Sequence, residues 1–168
     1  MSAAVSTVFA AENKYAPLAY QPLCSFGQAL VDVEVARHPE LKILTVHVTP
    51  RGVPVDTDKE RRLFFSNIGR VGKMDAGPDA QVYQSNRELV EIEKDPAPAS
   101  TNFSITATPK YEVLEILRDR AGNRIGLVVM VFPYHENFDL EQYHKIALQV
   151  AKALSERISS KDGLFDPA

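Results

Sequence analysis

Two hydrophobic periods run along this chain, and the places where one gives way to the other mark its elements. The strongest pattern spans Tyr111 to Pro133, YEVLEILRDRAGNRIGLVVMVFP. Tyr111, Val113, Glu115 and Leu117 fall on one face of an alternating strand; Glu112, Leu114, Ile116 and Arg118 fall on the other. The polar stretch Asp119 to Arg124 follows, with Gly122-Asn123 at its tip. Such residues supply left-handed turn conformations. Ile125 to Phe132 is then apolar on both faces, and only Gly126 lacks a side chain. A valine-rich run of that kind, too short for a buried helix, reads as a central strand covered on both sides.

Upstream, Leu41 to Thr49 alternates, with Leu44, Val46 and Val48 on one face and Ile43, Thr45 and His47 on the other. Arg61 to Ile68 is a second strand in which Phe64 and Phe65 point to opposite faces. Gly69 and Gly72 follow in a segment that can use backbone conformations closed to other residues. A two-turn helix near 79–85 leads to a short strand near 88–94, with Val90 and Ile92 inward.

Helical spacing appears at the two ends. Phe26, Leu30 and Val33 share a face of a run from Phe26 to His38, Ser25 can cap it with Gln28 three residues on, and Pro39 disfavours helix at His38. Asp139 to Ser159 carries a stripe of Leu140, Tyr143, Ile146, Ala147, Val150, Leu154 and Ile158, with Asp139 as the cap. The pattern predicts an α+β fold: a central antiparallel sheet of about five strands, an N-terminal helix and a long C-terminal helix. Residues 13–160 form one domain, 1–12 a flexible N-terminus or signal remnant, and 161–168 a frayed tail. Pro50 to Glu60 and Pro96 to Thr101 read as loops, the latter the most flexible stretch.

Composition narrows the function. With 168 residues, 45% apolar and 24% charged, the chain is an ordinary soluble globular domain. A net charge of −3 and the absence of a basic run exclude a nucleic-acid footprint. No apolar run is long enough to insert in a membrane. Cys24 is the single cysteine, so an internal disulfide and a cysteine-rich zinc site are excluded. Val8-Phe9-Ala10-Ala11 resembles a small-residue cleavage site without a full signal before it. The expected location is periplasmic or exported if a signal lies upstream, with a cytoplasmic start as the alternative.

No GxSxG, HExxH or P-loop pattern is present, so no catalytic set, cofactor or metal site is expected. The histidines at 38, 47, 135 and 144 show no metal-ligand spacing. His47 stands out, mid-strand among β-branched residues, where it either contacts a ligand or is a satisfied structural histidine. Ser66-Asn67 ends a strand either as a polar anchor at a pocket mouth or as a local turn bond. Tyr111 and Tyr134 bracket the hairpin near one end of the sheet, where each offers an apolar body and a polar tip.

Three stretches together resemble a PAS-like sensory fold, most closely a single Cache-type domain. They are LKILTVHVT after a helix, LFFSNIGRVGK with its Ser/Asn turn before Ile-Gly, and YEVLEILRDRAGNRIGLVVMVFPY. The third matches the final Cache hairpin, a form that GAF and other PAS-like domains share. The resemblance covers roughly residues 40 to 135. It implies a binding module that holds a small molecule between the sheet and flanking loops; Cache domains usually sit within membrane receptors, and the chain's departure from that pattern points to a free-standing, soluble binder without catalysis. The pocket residues expected on that geometry are His47, Arg62, Phe64, Ser66, Asn67, Tyr111 and Tyr134. A profilin/roadblock-like interaction protein working through dimerisation is the alternative, and a homodimer would form through the helices.

Overall fold

The computed structural model describes residues 25–94 and 109–168. The N-terminal stretch with Cys24 and the Pro96–Thr101 loop lie outside the described residues. The elements are α1 (Phe26–Arg37), β1 (Ile43–Val48), β2 (Arg62–Ser66), α2 (Gly77–Ser85), β3 (Leu89–Glu93), β4 (Lys110–Arg118), β5 (Arg124–Pro133) and α3 (Leu140–Arg157). They follow the order the hydrophobic pattern predicts. The five strands form one antiparallel sheet in the order β2-β1-β5-β4-β3. β5, the run apolar on both faces, lies at its centre.

Two layers cover the sheet. On one face α1 and α3 pack over Leu44, Val46, Val48, Val113, Leu117, Val128, Met130 and Phe132. On the other face α2 packs Val82 and Tyr83 over Ile43, Leu114, Ile116, Leu127, Val129 and Val131. The alternating residues of β1, β4 and β5 therefore feed two cores, as a strand covered on both sides requires.

Capping follows local chemistry. Ser25 accepts a hydrogen bond from the Gln28 amide at 3.4 Å, and Asp139 accepts one from the Gln142 amide at 3.0 Å. Gln28 does not reach back to its cap; it brackets Ser66, donating to its carbonyl and accepting from its amide. α1 buries Gly27, Leu30, Val31 and Glu34, one position round from the face expected, because Gly27 sits against the Phe65 ring.

Three expectations are corrected. Phe64 and Phe65 do not face opposite ways: both lie in the core under the helices. Val46 pairs with Phe65 and His47 with Leu63, so Phe64 is an extra residue in a β-bulge, which puts neighbouring side chains on one side. Val90 and Ile92 are not inward but 41% exposed each, since β3 is the outermost strand. The residues after Ser159 are not frayed. A short 3-10 turn, Asp162–Phe165, buries Leu164 and sets the Phe165 ring 5.1 Å from Phe64 and 5.3 Å from Phe65. The Asp166 carbonyl accepts from the Phe26 amide at 2.7 Å, tying the tail to the start of α1.

Candidate functional site

β1 is paired on both sides, to β2 and to β5, and it turns Thr45 and His47 toward the α2 layer. β5 approaches closely here. A Cβ on Gly126 would collide with the His47 carbonyl, so glycine is required for the two strands to lie in register. Beyond β2, Gly69 and Gly72 take positive φ values of 74° and 91°, and Arg70 joins them at 61°. The chain thereby turns back on itself. Leu63 donates to the Lys73 carbonyl at 2.9 Å and accepts from the Gly72 amide at 2.8 Å. The return path delivers Asp75 beside His47.

A buried chain of polar contacts results. The Thr45 hydroxyl lies 3.1 Å from His47 Nε2, and His47 Nδ1 lies 2.9 Å from Asp75 Oδ1. With a carboxylate at Nδ1, that nitrogen carries the proton and Nε2 accepts from Thr45. Asp75 Oδ2 accepts from Arg61 Nε at 2.6 Å, and Arg61 Nη2 donates to Asp58 Oδ1 at 3.0 Å. Burial pushes the Asp75 carboxyl up, but the hydrogen bonds from His47 and Arg61 and the charge of Arg61 outweigh it, holding the group below the usual carboxylate range.

α2 closes the site from above. The Arg61 guanidinium lies 3.3 Å from the centre of the Tyr83 ring, and that of Arg124 lies 4.2 Å from it. Tyr83 donates its hydroxyl to the Val55 carbonyl at 2.9 Å, while Arg124 Nη1 donates to the Tyr83 carbonyl at 2.8 Å. Arg61 is only 1% exposed, and its Nη1 has no hydrogen-bond partner among the described residues. A fully buried donor left in that state is rare in a folded protein.

The arrangement does not suit a metal or a nucleophile. Ligand atoms of His47, Asp75 and Asp79 lie within 4.8 Å of one another. Each is already engaged, Asp79 by the Ala76 amide, and the Arg61 guanidinium brings positive charge to the Asp75 carboxylate. Thr45, His47 and Asp75 follow an alcohol–imidazole–carboxylate order. Thr45, however, sits within a strand whose amides are committed to two neighbours, so β1 itself offers the hydroxyl no oxyanion-stabilising pair.

The seven residues expected at a pocket are scattered. His47 is in the polar cluster. Arg62, one residue from Arg61, turns to the rim and pairs with Glu60 at 2.8 Å. Phe64 is in the helix-side core, as is Tyr111, 5.2 Å from Phe138, while Tyr134, also 5.2 Å from Phe138, is partly buried against that core. Ser66 accepts from the Ile68 amide at 2.9 Å, a local turn bond. Asn67 accepts from the Leu44 amide and donates to the Lys42 carbonyl, extending the pairing of β2 with β1 by a side chain. The sequence reading passed over Arg61, Asp75, Tyr83 and Arg124. Only Arg61 had a signal, since it shares strand parity with the inward Leu63. A second, open depression of about 460 Å³ lies between the hairpin tip and α3, lined by Arg118, Asp119, Arg120, Gly122, Lys152, Ser155 and Glu156.

No protein-family model matches the chain. No curated protein matches it either. Among solved structures it is similar to a protein described as a GAF sensor, from Burkholderia vietnamiensis. The TM-score is 0.52 at 12% identity, over 86% of this chain and 81% of that one. It also overlaps a type II free methionine-R-sulfoxide reductase from Thermoplasma acidophilum, with a TM-score of 0.40 and 14% identity over 79% of this chain and 92% of that one. The chain thus has a PAS/GAF-type α+β fold. Among the described residues, no helix is long and apolar enough to cross a membrane.

Proposed function

We propose that the domain binds a small molecule, as a sensory-type module does, and performs no chemistry on it. The ligand lies on the α2 side of the sheet, against Arg61, His47 and Tyr83. One observation carries this reading: among the described residues, the buried Arg61 guanidinium keeps one nitrogen without an acceptor. An unmet donor of that kind costs about 1–3 kcal/mol or more, which a ligand oxygen recovers. Asp75 and Asp58 already balance the Arg61 charge. The missing acceptor therefore needs no formal charge, and a carbonyl or amide oxygen fits it. The narrower Cache assignment rests on three sequence stretches alone: LKILTVHVT, LFFSNIGRVGK with its Ser66-Asn67 turn, and the DRAGNR hairpin.

Thermal-shift measurements over a panel of amino acids, amides, carboxylates, amines and purines test the proposal. A ligand at a hundred times its Kd adds about 2.7 kcal/mol of stability, a shift of several degrees. Arg61→Lys keeps a positive charge beside Asp75 and removes Nη1, so affinity should fall by about tenfold or more. An unchanged melting temperature across the panel would overturn the reading.

A further inference from the structure

We infer that two copies of this chain associate through the outer edge of β3 and the adjoining face of α3, forming a two-fold dimer. The surface is marked by where apolar side chains remain uncovered. Five large hydrophobic residues are exposed among the described ones: Met74, Val90, Ile92, Leu140 and Leu148. Four of these gather in one place. Val90 pairs with Val113 and Ile92 with Tyr111, both of which belong to the core under the helices. Val90 and Ile92 therefore project on the same side of the sheet as α3.

On α3, Leu140, His144 and Leu148 recur at four-residue steps and share a helix face. His144 Nε2 lies 2.8 Å and 2.9 Å from the two carboxylate oxygens of Glu88, the residue before β3. That contact fixes the face: Leu140 and Leu148 flank it, on the side turned to β3. An apolar strip thus runs from the helix onto the sheet edge, of the kind that marks an interaction site.

The two sheet edges differ. The outer edge of β2 is occupied by the returning chain, through the Leu63 bonds to Gly72 and Lys73. Among the described residues, β3 pairs only with β4. An unpaired strand edge offers a row of backbone donors and acceptors to another strand. A second copy is the occupant because the edge is complementary to itself. An antiparallel pair with its two-fold at Val90 sets Val90 opposite Val90 and Ile92 opposite Glu88, and brings Glu93 near the exposed Arg87 of the bend before β3, twice over. Glu91 then faces Leu89. A two-fold at Glu91 would oppose that carboxylate to itself, and one at Ile92 would oppose Glu91 to Glu93. The register at Val90 avoids like charges directly across the pair.

Mass measurement by light scattering and sedimentation equilibrium on the full chain tests this. The wild type should run as a dimer at micromolar concentration. Val90→Lys and Ile92→Lys should each yield monomer with an unchanged far-UV spectrum, and Met74→Lys should leave the dimer intact. Arg87→Glu should weaken association at least about tenfold, and adding Glu93→Arg should restore it. A wild type that stays monomeric overturns the proposal, as it would if another part of the chain covered the strip. So does a dimer that survives both lysine substitutions. A dimer broken by Val90→Lys but indifferent to Arg87→Glu overturns the register.

Discussion

Arg61 and Arg62 are adjacent and chemically identical, yet one is buried under α2 and the other lies on the rim. Arg61 bridges two carboxylates, so removing its charge leaves Asp75 buried without a countercharge. Arg61→Met should therefore cost about 3–5 kcal/mol in urea denaturation. Arg62→Met, which breaks a pair with a half-exposed Glu60, should stay within about 1 kcal/mol. Equal losses would show that Arg61 is not the centre of the cluster. Asp75 adds a pH dependence. Its pKa is lower in the folded protein, so its stabilisation is complete above the unfolded carboxylate value near 4 and is lost as pH falls through the folded one. Asp75→Asn should be less stable than wild type at pH 7, with the difference shrinking below about pH 4. Melting curves across that range check the sign.

At the scale of elements, the hairpin turn is held by one side chain. Asp119 accepts from the Ala121 and Asn123 amides at 3.0 Å and 2.9 Å and from the Asn123 side chain at 2.9 Å. Burial raises its carboxyl, and these bonds, led by the Asn123 side chain, bring it below the ordinary range. Of the two tip residues, Gly122 alone is left-handed, with φ of 86°. The Arg120 amide donates to the Ile158 carbonyl, so the turn also anchors the end of α3. Asp119→Ala should lower stability by about 1–3 kcal/mol and raise amide exchange at both Asn123 and Arg120. A change confined to Asn123 would separate the turn from the helix. Gly126→Ala strikes the β1–β5 contact instead. Its Cβ would meet backbone, which cannot rotate away, so the loss should exceed the ~1 kcal/mol typical of a glycine change in a strand.

Over the whole molecule, the two ends of the described chain meet. Ser25 forms an isolated bridge with Pro167, and Lys161, buried, donates to the Pro50 and Val53 carbonyls at 2.6 Å and 2.9 Å. The last residues thus close the helical layer and hold the loop that leads toward Arg61. Phe165→Ala should cost about 3 kcal/mol, the low end for a buried phenylalanine, because the ring is only partly covered. A loss under about 0.5 kcal/mol in chemical denaturation would return the tail to the frayed state its polar sequence implies.

Alternation alone placed β1, β4 and β5 and their two faces, since a strand buried on both sides must be apolar at successive positions. The stripe from Tyr143 to Ile158 and the caps Ser25 and Asp139 are legible because their contacts close within four residues, whereas Leu140, expected on the stripe, is 46% exposed. What the sequence does not carry is long-range and positional. Neither the bulge at Phe64 nor the outer place of β3 is written in local periodicity, because both depend on which strand lies alongside. The polar cluster draws His47 from β1, Arg61 from the start of β2, Asp75 from the returning loop and Tyr83 from α2. No spacing along the chain links them. His47 could be singled out because a histidine among β-branched residues breaks a pattern; Asp75 in a turn and Tyr83 in a short helix break none. Sheet order and the glycine return brought these groups within hydrogen-bonding distance, so the scaffold belongs to the sequence pattern and the site to the tertiary structure.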